Sequence, residues 1–345
     1  MISIIIRSKD EADRLRLCIA SLIGQLKGHE LIVVNDGSTD HTDSVINEAM
    51  AWAKISVIKH KSPLGRSAAS NAGVSIAKGD LLLFLDGDVL AAPNLLELHR
   101  QFHEKSPNTF ARGENRHLRC TRTLLNPELG TPFPNLGEYV KSRSPLEMEN
   151  LKITLNQIHH DFGSIESRSG LSIYLGIQPQ ILFNLEVSAI VNSPNCSVLW
   201  AAASGHNSSV TRERFIAVHG FDNGIDINEQ RELALKLSNK GIKMGYVNGA
   251  KTYHMIHQST WRNPLVMPAW EARFLSLHPQ KAVALLNIFW GTLADAKKLP
   301  AEFRIQNLLE LEAASINRRR LNYDEARNLL GLESLGANFW LSGIR

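Results

Sequence analysis

Cysteine is scarce in this sequence, and its few copies are not grouped. The 345 residues include three cysteines, Cys18, Cys120 and Cys196, which lie far apart and form no CxxC motif. A disulfide framework needs several cysteines at short spacings, and a structural zinc site needs clustered ligands. We therefore expect neither, and instead predict reduced thiols in a cytoplasmic compartment.

Long apolar runs and a large excess of one charge are also missing. The longest apolar stretch, Leu81 to Leu96, is interrupted by Asp86 and Asp88, so no membrane span is predicted. Lysine plus arginine number 38 and aspartate plus glutamate 34, which gives a net charge of +4. This does not indicate a nucleic-acid-binding protein, but it permits a local site for an anionic small molecule. We expect a cytoplasmic protein, with peripheral attachment to the inner face of the membrane as the alternative.

Short apolar runs typical of buried strands alternate with helical spacing of apolar residues in the first hundred residues. Buried strands are predicted at 2–6, 30–34, 55–57 and 80–85, and amphipathic helices at 11–26, 45–53 and 65–77. Such a βαβ series forms a mostly parallel sheet with helices on its faces. Because ligands bind beyond the carboxyl ends of parallel strands, we expect Arg7, Asp36, Asp86 and Asp88 on one rim.

Carboxylates follow two of these strands. Asp86 and Asp88 are two residues apart at a strand end, so they can point the same way and share one divalent cation. Gly87 between them would leave room for a ligand. After the second strand, Asp36 can accept a hydrogen bond from a base N–H or a ribose hydroxyl. The alternative in both places is a turn without a ligand.

Short motifs in this sequence, including the acidic ones above, occur in the same order as the motifs of a known family. The motifs are IIIRSKDE (4–11), VVNDGSTD (33–40), GRSAASNAG (65–73), LLLFLDGDV (81–89), GHN (205–207), GFD (220–222), NEQREL (228–233) and GAKTYH (249–254). Over about residues 1–90 and 204–257 the chain resembles glycosyltransferase family 2, whose members have the nucleotide-sugar-binding GT-A fold. The resemblance implies an α/β protein of GT-A type with a mostly parallel, Rossmann-like sheet flanked by helices.

Three parts are expected along the chain. Residues 1–110 would form the nucleotide-sugar-binding half, and residues 111–265 the acceptor-binding half with an irregular insert. Apolar residues at helical spacing predict a helical C-terminal extension over residues 266–345.

The resemblance also assigns roles to the residues of the rim. Asp36 would contact the nucleotide base, with Arg7 and Glu11 lining the same pocket. Asp86 would contact the nucleotide sugar as well as the metal. Asp88 would be the more direct ligand of Mn²⁺ or Mg²⁺.

A histidine near the end of the last matching motif is a third metal candidate. His254 lies where some family members place a further metal or diphosphate contact, and an ordinary strand-end histidine is the alternative. His257 follows three residues later. Alternation along a strand would turn these two side chains to opposite faces, so we do not predict that they bind one zinc ion.

Two departures from the family pattern affect the donor and the base. The family usually has arginine directly before the asparagine at Asn71, where this chain has Ser70. Arg66, one helical turn earlier, would supply the positive charge near the diphosphate, unless it is only an exposed helix residue. The family also often uses an aspartate as general base at the position of Gln230, and glutamine cannot take up a proton near neutral pH.

Glu229 is therefore the candidate base. Its alternative is a capping box with Asp226, since an acidic residue stabilises the first turn of a helix. Glu232 has the spacing for an ion pair with Lys236.

The implied function is a metal-dependent glycosyltransferase. It would move a sugar from a nucleoside-diphosphate donor, with a UDP-sugar favoured, to a hydroxyl of a glycan, lipid-linked or small-molecule acceptor. Inversion at the anomeric carbon and a role in polysaccharide biosynthesis are implied; no nucleic-acid partner is expected, and a homo-oligomer is compatible. The glutamine at 230 leaves two alternatives: a retaining transferase, or a non-catalytic nucleotide-sugar-binding scaffold. A nucleotidyltransferase would need a glycine-rich loop after the first strand, where this chain has RSKDE (7–11).

Overall fold

The structure is a computed structural model that describes residues 1–138, 142–171, 179–257, 269–316 and 323–341. The strands are β1 (Ile2–Ser8), β2 (Glu30–Asn35), β3 (Ile55–Lys59), β4 (Leu81–Asp86), β5 (Val89–Ala91), β6 (Thr109–Leu118), β7 (Leu124–Asn126), β8 (Thr131–Pro132), β9 (Gly170–Leu171), β10 (Ser208–Thr211) and β11 (Lys243–Met255).

The helices begin with the four that alternate with the first strands. They are α1 (Ala12–Ile23), α2 (Thr42–Ala49), α3 (Arg66–Ile76), α4 (Leu95–Lys105), α5 (Pro145–Leu151), α6 (Leu155–His160), α7 (Phe162–Ser167), α8 (Pro179–Asn192), α9 (Arg212–Ala217), α10 (Glu229–Ser238), α11 (Ala269–Leu277), α12 (Lys281–Ala294), α13 (Leu308–Ile316), α14 (Tyr323–Leu329) and α15 (Ala337–Leu341). Among the described helices, none combines the length and the apolarity that crossing a membrane requires.

The central sheet has a parallel and an antiparallel half. In the described part of the chain nine strands share it, in the order β3-β2-β1-β4-β10-β6-β11-β5, with β9 beside β6. Strands β3, β2, β1 and β4 are parallel, as the βαβ pattern predicts. Strand β10 runs antiparallel to both β4 and β6, and β11 runs antiparallel to β5. The α/β fold is therefore as expected, but the sheet is mixed and its parallel part is limited to the first four strands.

Apolar side chains explain why the parallel half forms. Every residue of β1 is buried, and Leu15, Ile19 and Leu22 of α1 are fully buried in the same core. Each such side chain stabilises the fold by about 1.5–3 kcal/mol. On the other face, a Cβ at Gly73 of α3 would lie 2.6 Å from Ile5 Cγ2. The small residues of α3 thus allow it to pack directly on β1.

The chain divides into two compact units. The first contains residues 1–171, 204–223 and 245–261, and therefore most of the central sheet. The second contains residues 172–203, 224–244 and 262–345, and its described elements are chiefly helices, including those of the C-terminal region. The core of the second unit includes Trp200, Phe274 and Trp290, and it encloses a bidentate ion pair between Arg327 and Glu271.

Candidate active site

The turn after β4 is built around Gly87. A Cβ at this position would lie 2.6 Å from Glu11 Oε1 and 2.8 Å from Ser8 Oγ. Glycine is required here because Glu11 and Ser8 occupy the space that a side chain would need. This differs from the expectation that the small residue leaves room for a ligand.

Asp86 is paired with an arginine of the neighbouring strand. Arg7 Nε donates to Asp86 Oδ1 at 2.7 Å, and His206 Nδ1 lies 3.7 Å from Asp86 Oδ2. Burial opposes ionisation of Asp86, but the charges of Arg7, His206 and Arg66 together lower its pKa. The parallel register, which places Arg7 opposite Asp86, explains the pair.

Asp88 faces two histidines. His254 Nε2 and His257 Nε2 each lie 3.0 Å from Asp88 Oδ2. Burial would raise the pKa of Asp88, but the two histidines outweigh it and hold that pKa well below the usual range. In turn, burial lowers the pKa of His254, and the Asp88 carboxylate more than offsets this and raises it.

The expectation that His254 and His257 face opposite sides of a strand is wrong. Strand β11 ends at Met255, so the two-residue alternation does not reach His257. Both rings instead turn to the same carboxylate oxygen. His257 is therefore the candidate ligand that sequence reasoning missed.

Three hydrogen bonds hold the chain between these histidines. The Met255 N–H donates to the Asp88 carbonyl at 2.9 Å. The buried Arg14 Nε donates to the Met255 carbonyl at 3.1 Å, and Thr121 Oγ1 donates to the Ile256 carbonyl at 2.9 Å. These bonds fix the direction of both imidazole rings toward Asp88.

The donor atoms of Asp88, His254 and His257 all lie within 4.8 Å of one another and could hold a metal ion. One carboxylate oxygen and two imidazole nitrogens suit a first-row transition metal. Asp88 Oδ1 is buried and has no hydrogen-bond partner among the described residues, as expected of an atom that faces a ligand. Asp86 is not part of this donor group.

Asp36 directly follows β2, and its carboxylate already accepts hydrogen bonds from within the protein. Its Oδ1 lies 2.7 Å from His60 Nδ1 and accepts from the Leu64 N–H at 2.8 Å, and its Oδ2 accepts from the Gly65 N–H at 2.9 Å. About three of its four acceptor positions are thus used. Asp36 thereby fixes the loop that leads into α3. A nucleotide base that binds Asp36 would have to use the remaining acceptor position.

Glu11 and Arg66 contribute charge at the same end of the sheet. Burial, followed by the negative charges of Asp88 and Asp86, raises the pKa of Glu11 well above its usual range. Arg66 is exposed at the first position of α3, and its charge acts to lower the pKa values of Glu11 and Asp86.

His206 is a further histidine beside the acidic pair that sequence reasoning left without a role. Burial lowers its pKa to about 4, and its ring centroid lies 5.9 Å from that of His254. The next residue, Asn207, has φ 62°, and its Oδ1 lies 2.8 Å from His99 Nε2. Its Nδ2 donates to the Ala250 carbonyl at 2.8 Å. The signal for His206 was present in the GHN motif, but its neighbours come from distant parts of the chain.

Glu229 lies in the second unit, as the first residue of α10. The capping residue is Asn228, with φ 67°, so the predicted capping box between Asp226 and Glu229 does not form. Arg231 fixes this helix start: its Nη1 donates to Asn228 Oδ1 at 2.9 Å, and its Nε donates to the Ala201 carbonyl at 2.8 Å. Glu229, the residue that follows this fixed cap, is 3% exposed.

Glu232 has a different environment within the same unit. Its Oε2 lies 3.0 Å from Lys236 Nζ, which is the expected i,i+4 ion pair, and its Oε1 lies 2.9 Å from His278 Nε2. With two partners of its own, Glu232 stabilises α10. This leaves Glu229 as the candidate base on that helix.

Comparison with known proteins agrees with the motifs. A sequence model described as "Glycosyl transferase family 2" matches residues 3–153. This segment belongs to glycosyl transferase family 2. The resemblance of the first motifs is thereby confirmed, and the matched segment contains Arg7, Asp36, Asp86 and Asp88.

Curated relatives align with part of this chain. Glycosyltransferase GlyG of Streptococcus pneumoniae is 29% identical over 108 residues, which are 30% of this chain and 36% of GlyG. Uncharacterized glycosyltransferase EpsJ of Bacillus subtilis is 37% identical over 132 residues, which are 37% of this chain and 38% of EpsJ. The chain spans about a third of the length of these relatives.

Solved structures share the fold over a longer stretch. The structure of residues 1–349 of S. aureus TarS in complex with UDP has a TM-score of 0.52 and 13% identity, covering 99% of this chain and 87% of that chain. The complex of the same TarS segment with UDP-GlcNAc has a TM-score of 0.50 and 13% identity, covering 94% of this chain and 75% of that chain. At this identity the likeness shows the fold, and the GT-A fold expected from the motifs is confirmed.

Proposed function

We propose that the protein is a metal-dependent glycosyltransferase that moves a sugar from a nucleoside-diphosphate donor to an acceptor hydroxyl. The observation that carries this proposal is the group formed by Asp88, His254 and His257. Asp88 lies within the segment that matches family 2, in the turn after a parallel strand of the sheet. In open α/β sheets, ligands bind beyond the carboxyl ends of the strands.

The favoured donor is a UDP-sugar. TarS, which shares the fold, has been solved in complex with UDP and with UDP-GlcNAc. In this chain Asp36 and the loop that it fixes lie at the end of β2, where the family resemblance implies the binding site of the nucleotide base. A turnover screen with several UDP-sugars would identify the sugar that is transferred.

Asp88, His254 and His257 would hold the metal, for which Mn²⁺ and Mg²⁺ are the candidates implied by the family. Such an ion offsets the negative charge that a diphosphate gains as it leaves. Arg66 is exposed near the acidic pair and would add a positive charge for the same diphosphate. Arg7 acts through Asp86, because its pairing holds that carboxylate ionised and directed to the site.

Glu229 is the proposed general base. A carboxylate can take the proton of the attacking hydroxyl, and Gln230 cannot. The left-handed Asn228 and the hydrogen bonds of Arg231 support this role, because they fix the position of Glu229 without using Glu229 as the helix cap. The family resemblance implies in-line displacement with inversion.

The first test is a thermal-shift panel of UDP, GDP, CDP and dTDP, each with and without Mn²⁺. A ligand at 100 times its Kd stabilises a folded protein by about 2.7 kcal/mol. We expect the largest shift with UDP and Mn²⁺ together. Asp88→Asn should lose the part that depends on Mn²⁺, and Asp80→Asn, at an exposed position, should keep it. If no nucleotide shifts the melting temperature, the proposal is wrong and a scaffold without a donor site takes its place.

A further inference from the structure

Two further histidines are buried in the first unit, one helical turn apart on α4. His99 is fully buried and His103 is 7% exposed. Ser209 Oγ of β10 lies 2.7 Å from His99 Nδ1 and 2.8 Å from His103 Nε2. On its other side, His99 Nε2 lies 2.8 Å from Asn207 Oδ1. These four side chains form a buried polar cluster that the proposed reaction does not yet use.

The direction of each hydrogen bond in this cluster follows from Asn207. Its Nδ2 donates to the Ala250 carbonyl at 2.8 Å, so its Oδ1 faces His99 and must accept from His99 Nε2. Burial lowers the pKa of His99 to about 4, so near neutral pH the ring is neutral and its Nδ1 is an acceptor. Ser209 Oγ therefore donates to His99 Nδ1 and accepts from His103 Nε2.

The backbone at Asn207 has a conformation that few residues adopt. Its φ is 62°, in the left-handed region that asparagine tolerates better than most side chains. Its N–H donates to the Phe84 carbonyl at 2.9 Å, and its carbonyl accepts from the Gly113 N–H at 2.9 Å. A Cβ at Gly113 would lie 2.6 Å from Asn207 Oδ1, so this glycine provides the space for the amide. The bond from His99 connects this buried residue to α4.

His206 directly precedes Asn207 and lies beside the candidate site. Its Nδ1 is 3.7 Å from Asp86 Oδ2, which is too long for a hydrogen bond, and its ring centroid is 5.9 Å from that of His254. Its Nε2 has no hydrogen-bond partner among the described residues. Because the ring makes no hydrogen bond of its own there, its position depends on the backbone. The peptide plane shared with Asn207 is rigid, so fixing Asn207 restricts the position of His206.

We propose that His99 is a positioning residue for the active site: its hydrogen bond holds Asn207, and Asn207 keeps the ring of His206 beside Asp86 and His254. The inference rests on the proposed function, because it concerns the same site and the same sugar transfer. Such a residue affects the rate without touching the reacting atoms, since a displacement of about 1 Å at a site can lower the rate by about 10²-fold.

The experiment compares two substitutions of His99 that each keep one of its two contacts. In His99→Gln the amide nitrogen takes the place of Nε2, so the bond to Asn207 is retained. In His99→Asn the shorter side chain reaches only Ser209. Release of UDP by the full chain is measured with the donor found in the turnover screen. We expect His99→Gln to keep most of the wild-type kcat, and His99→Asn to lower kcat by about tenfold or more with little change in the KM of the acceptor.

His103→Gln is the matched control. His103 is buried on the same face of α4 and shares Ser209, but its substitution leaves the bond between His99 and Asn207 in place. It should lower the melting temperature about as much as His99→Asn and leave kcat unchanged. A kcat for His103→Gln that falls as far as that of His99→Asn would show that loss of stability alone explains the effect, and would overturn the inference.

A double-mutant cycle tests whether the effect of His99 passes through His206. In the His206→Ala background the ring that His99 positions is absent. There His99→Asn should lower kcat by no more than about twofold, compared with about tenfold in the wild-type background. Equal effects in both backgrounds would contradict the inference.

A second measurement needs no activity. Long-range ¹H–¹⁵N spectra distinguish a protonated from an unprotonated ring nitrogen of histidine. In the wild-type chain without donor, His99 should carry its proton on Nε2, and a proton on Nδ1 instead would overturn the inference. The ring signals of His206, identified by their loss in His206→Ala, should shift in His99→Asn and stay in place in His103→Gln.

The inference and the proposed function fail separately. Equal kcat values for His99→Gln and His99→Asn overturn the inference and leave the transferase proposal standing. If no donor releases a nucleoside diphosphate, the proposed function is wrong and the ring spectra decide. Shifted signals of His206 in His99→Asn then support the coupling between the two residues, and unchanged signals overturn it.

Discussion

His257 Nε2 lies 3.0 Å from Asp88 Oδ2, although 169 positions separate the two residues in the sequence. The contact joins the turn after β4 to the segment after β11. Because of it, Asp86 and Asp88 have different surroundings: Asp86 is bound to Arg7, while Asp88 faces two imidazole rings. The two carboxylates of one short motif therefore have different partners and, in our account, different functions.

Replacing Asp88 by asparagine should abolish turnover and leave the fold intact. The amide cannot provide the negative charge that the metal and both histidines require. Donor turnover at saturating Mn²⁺, together with circular dichroism, checks this expectation. Asp80→Asn is the matched control, since Asp80 is exposed just before β4. A wild-type rate for Asp88→Asn would exclude Asp88 as a metal ligand in the reaction.

Glu229→Gln should lower kcat by about 10²-fold or more, the effect typical of losing a general base. The substitution preserves size and leaves the Arg231 bonds that fix the start of α10. Steady-state kinetics at several acceptor concentrations measures the change. Glu213→Gln, at an exposed glutamate of α9, serves as control. An unchanged kcat would limit Glu229 to a structural role in α10.

Arg7→Met should destabilise the fold by about 3 kcal/mol, because removing one member of a buried ion pair leaves the other charge uncompensated. Here the remaining charge is Asp86, whose pKa is held down by Arg7 and which lies close to Glu11 and Asp88. Urea unfolding provides the free energy. Adding Asp86→Asn to Arg7→Met should recover part of the loss. Simple addition of the two single effects would contradict the coupling.

Acidification should destabilise the protein between about pH 6.5 and pH 4. Burial lowers the pKa of His99 and of His103 to about 4, from 6.5 for an ordinary histidine. In this window the unfolded chain binds these protons and the folded chain does not, so stability falls as pH falls and the loss is complete below the folded pKa. From pH 7 to pH 5 the loss is about 2 kcal/mol for each histidine.

Urea unfolding across this pH range is the measurement, with His103→Gln as the variant. That variant should reduce the pH dependence by about the share of one histidine. An identical dependence in wild type and variant would show that His103 does not contribute to it.

The parallel half of the sheet could be predicted because its signal is local. Strands β1, β2 and β4 are short apolar runs that are buried along nearly their whole length, and the turns after them contain the acidic residues. The βαβ alternation then places these turns at the same end of the sheet. The position of Asp36, Asp86 and Asp88 at this end of the sheet could therefore be predicted from the sequence.

Strand β6 could not be predicted in the same way. Its sequence, TFARGENRHL, contains buried polar residues such as Asn115, which accepts from Thr252 Oγ1 at 3.2 Å. These polar side chains are buried because their partners come from distant parts of the chain. Hydrophobic alternation does not record such partners. The orientation of the His257 side chain could not be predicted for a related reason. It depends on where β11 ends, which is at Met255.

The central claim is metal-dependent transfer from a nucleoside-diphosphate sugar, and donor turnover tests it most directly. A panel of UDP-sugars is incubated with the full chain, with and without Mn²⁺, and the released products are separated by chromatography. We predict that at least one donor releases UDP in the presence of Mn²⁺ and that Asp88→Asn releases none. Release of inorganic diphosphate, or equal release of UDP by the wild type and Asp88→Asn, would contradict it.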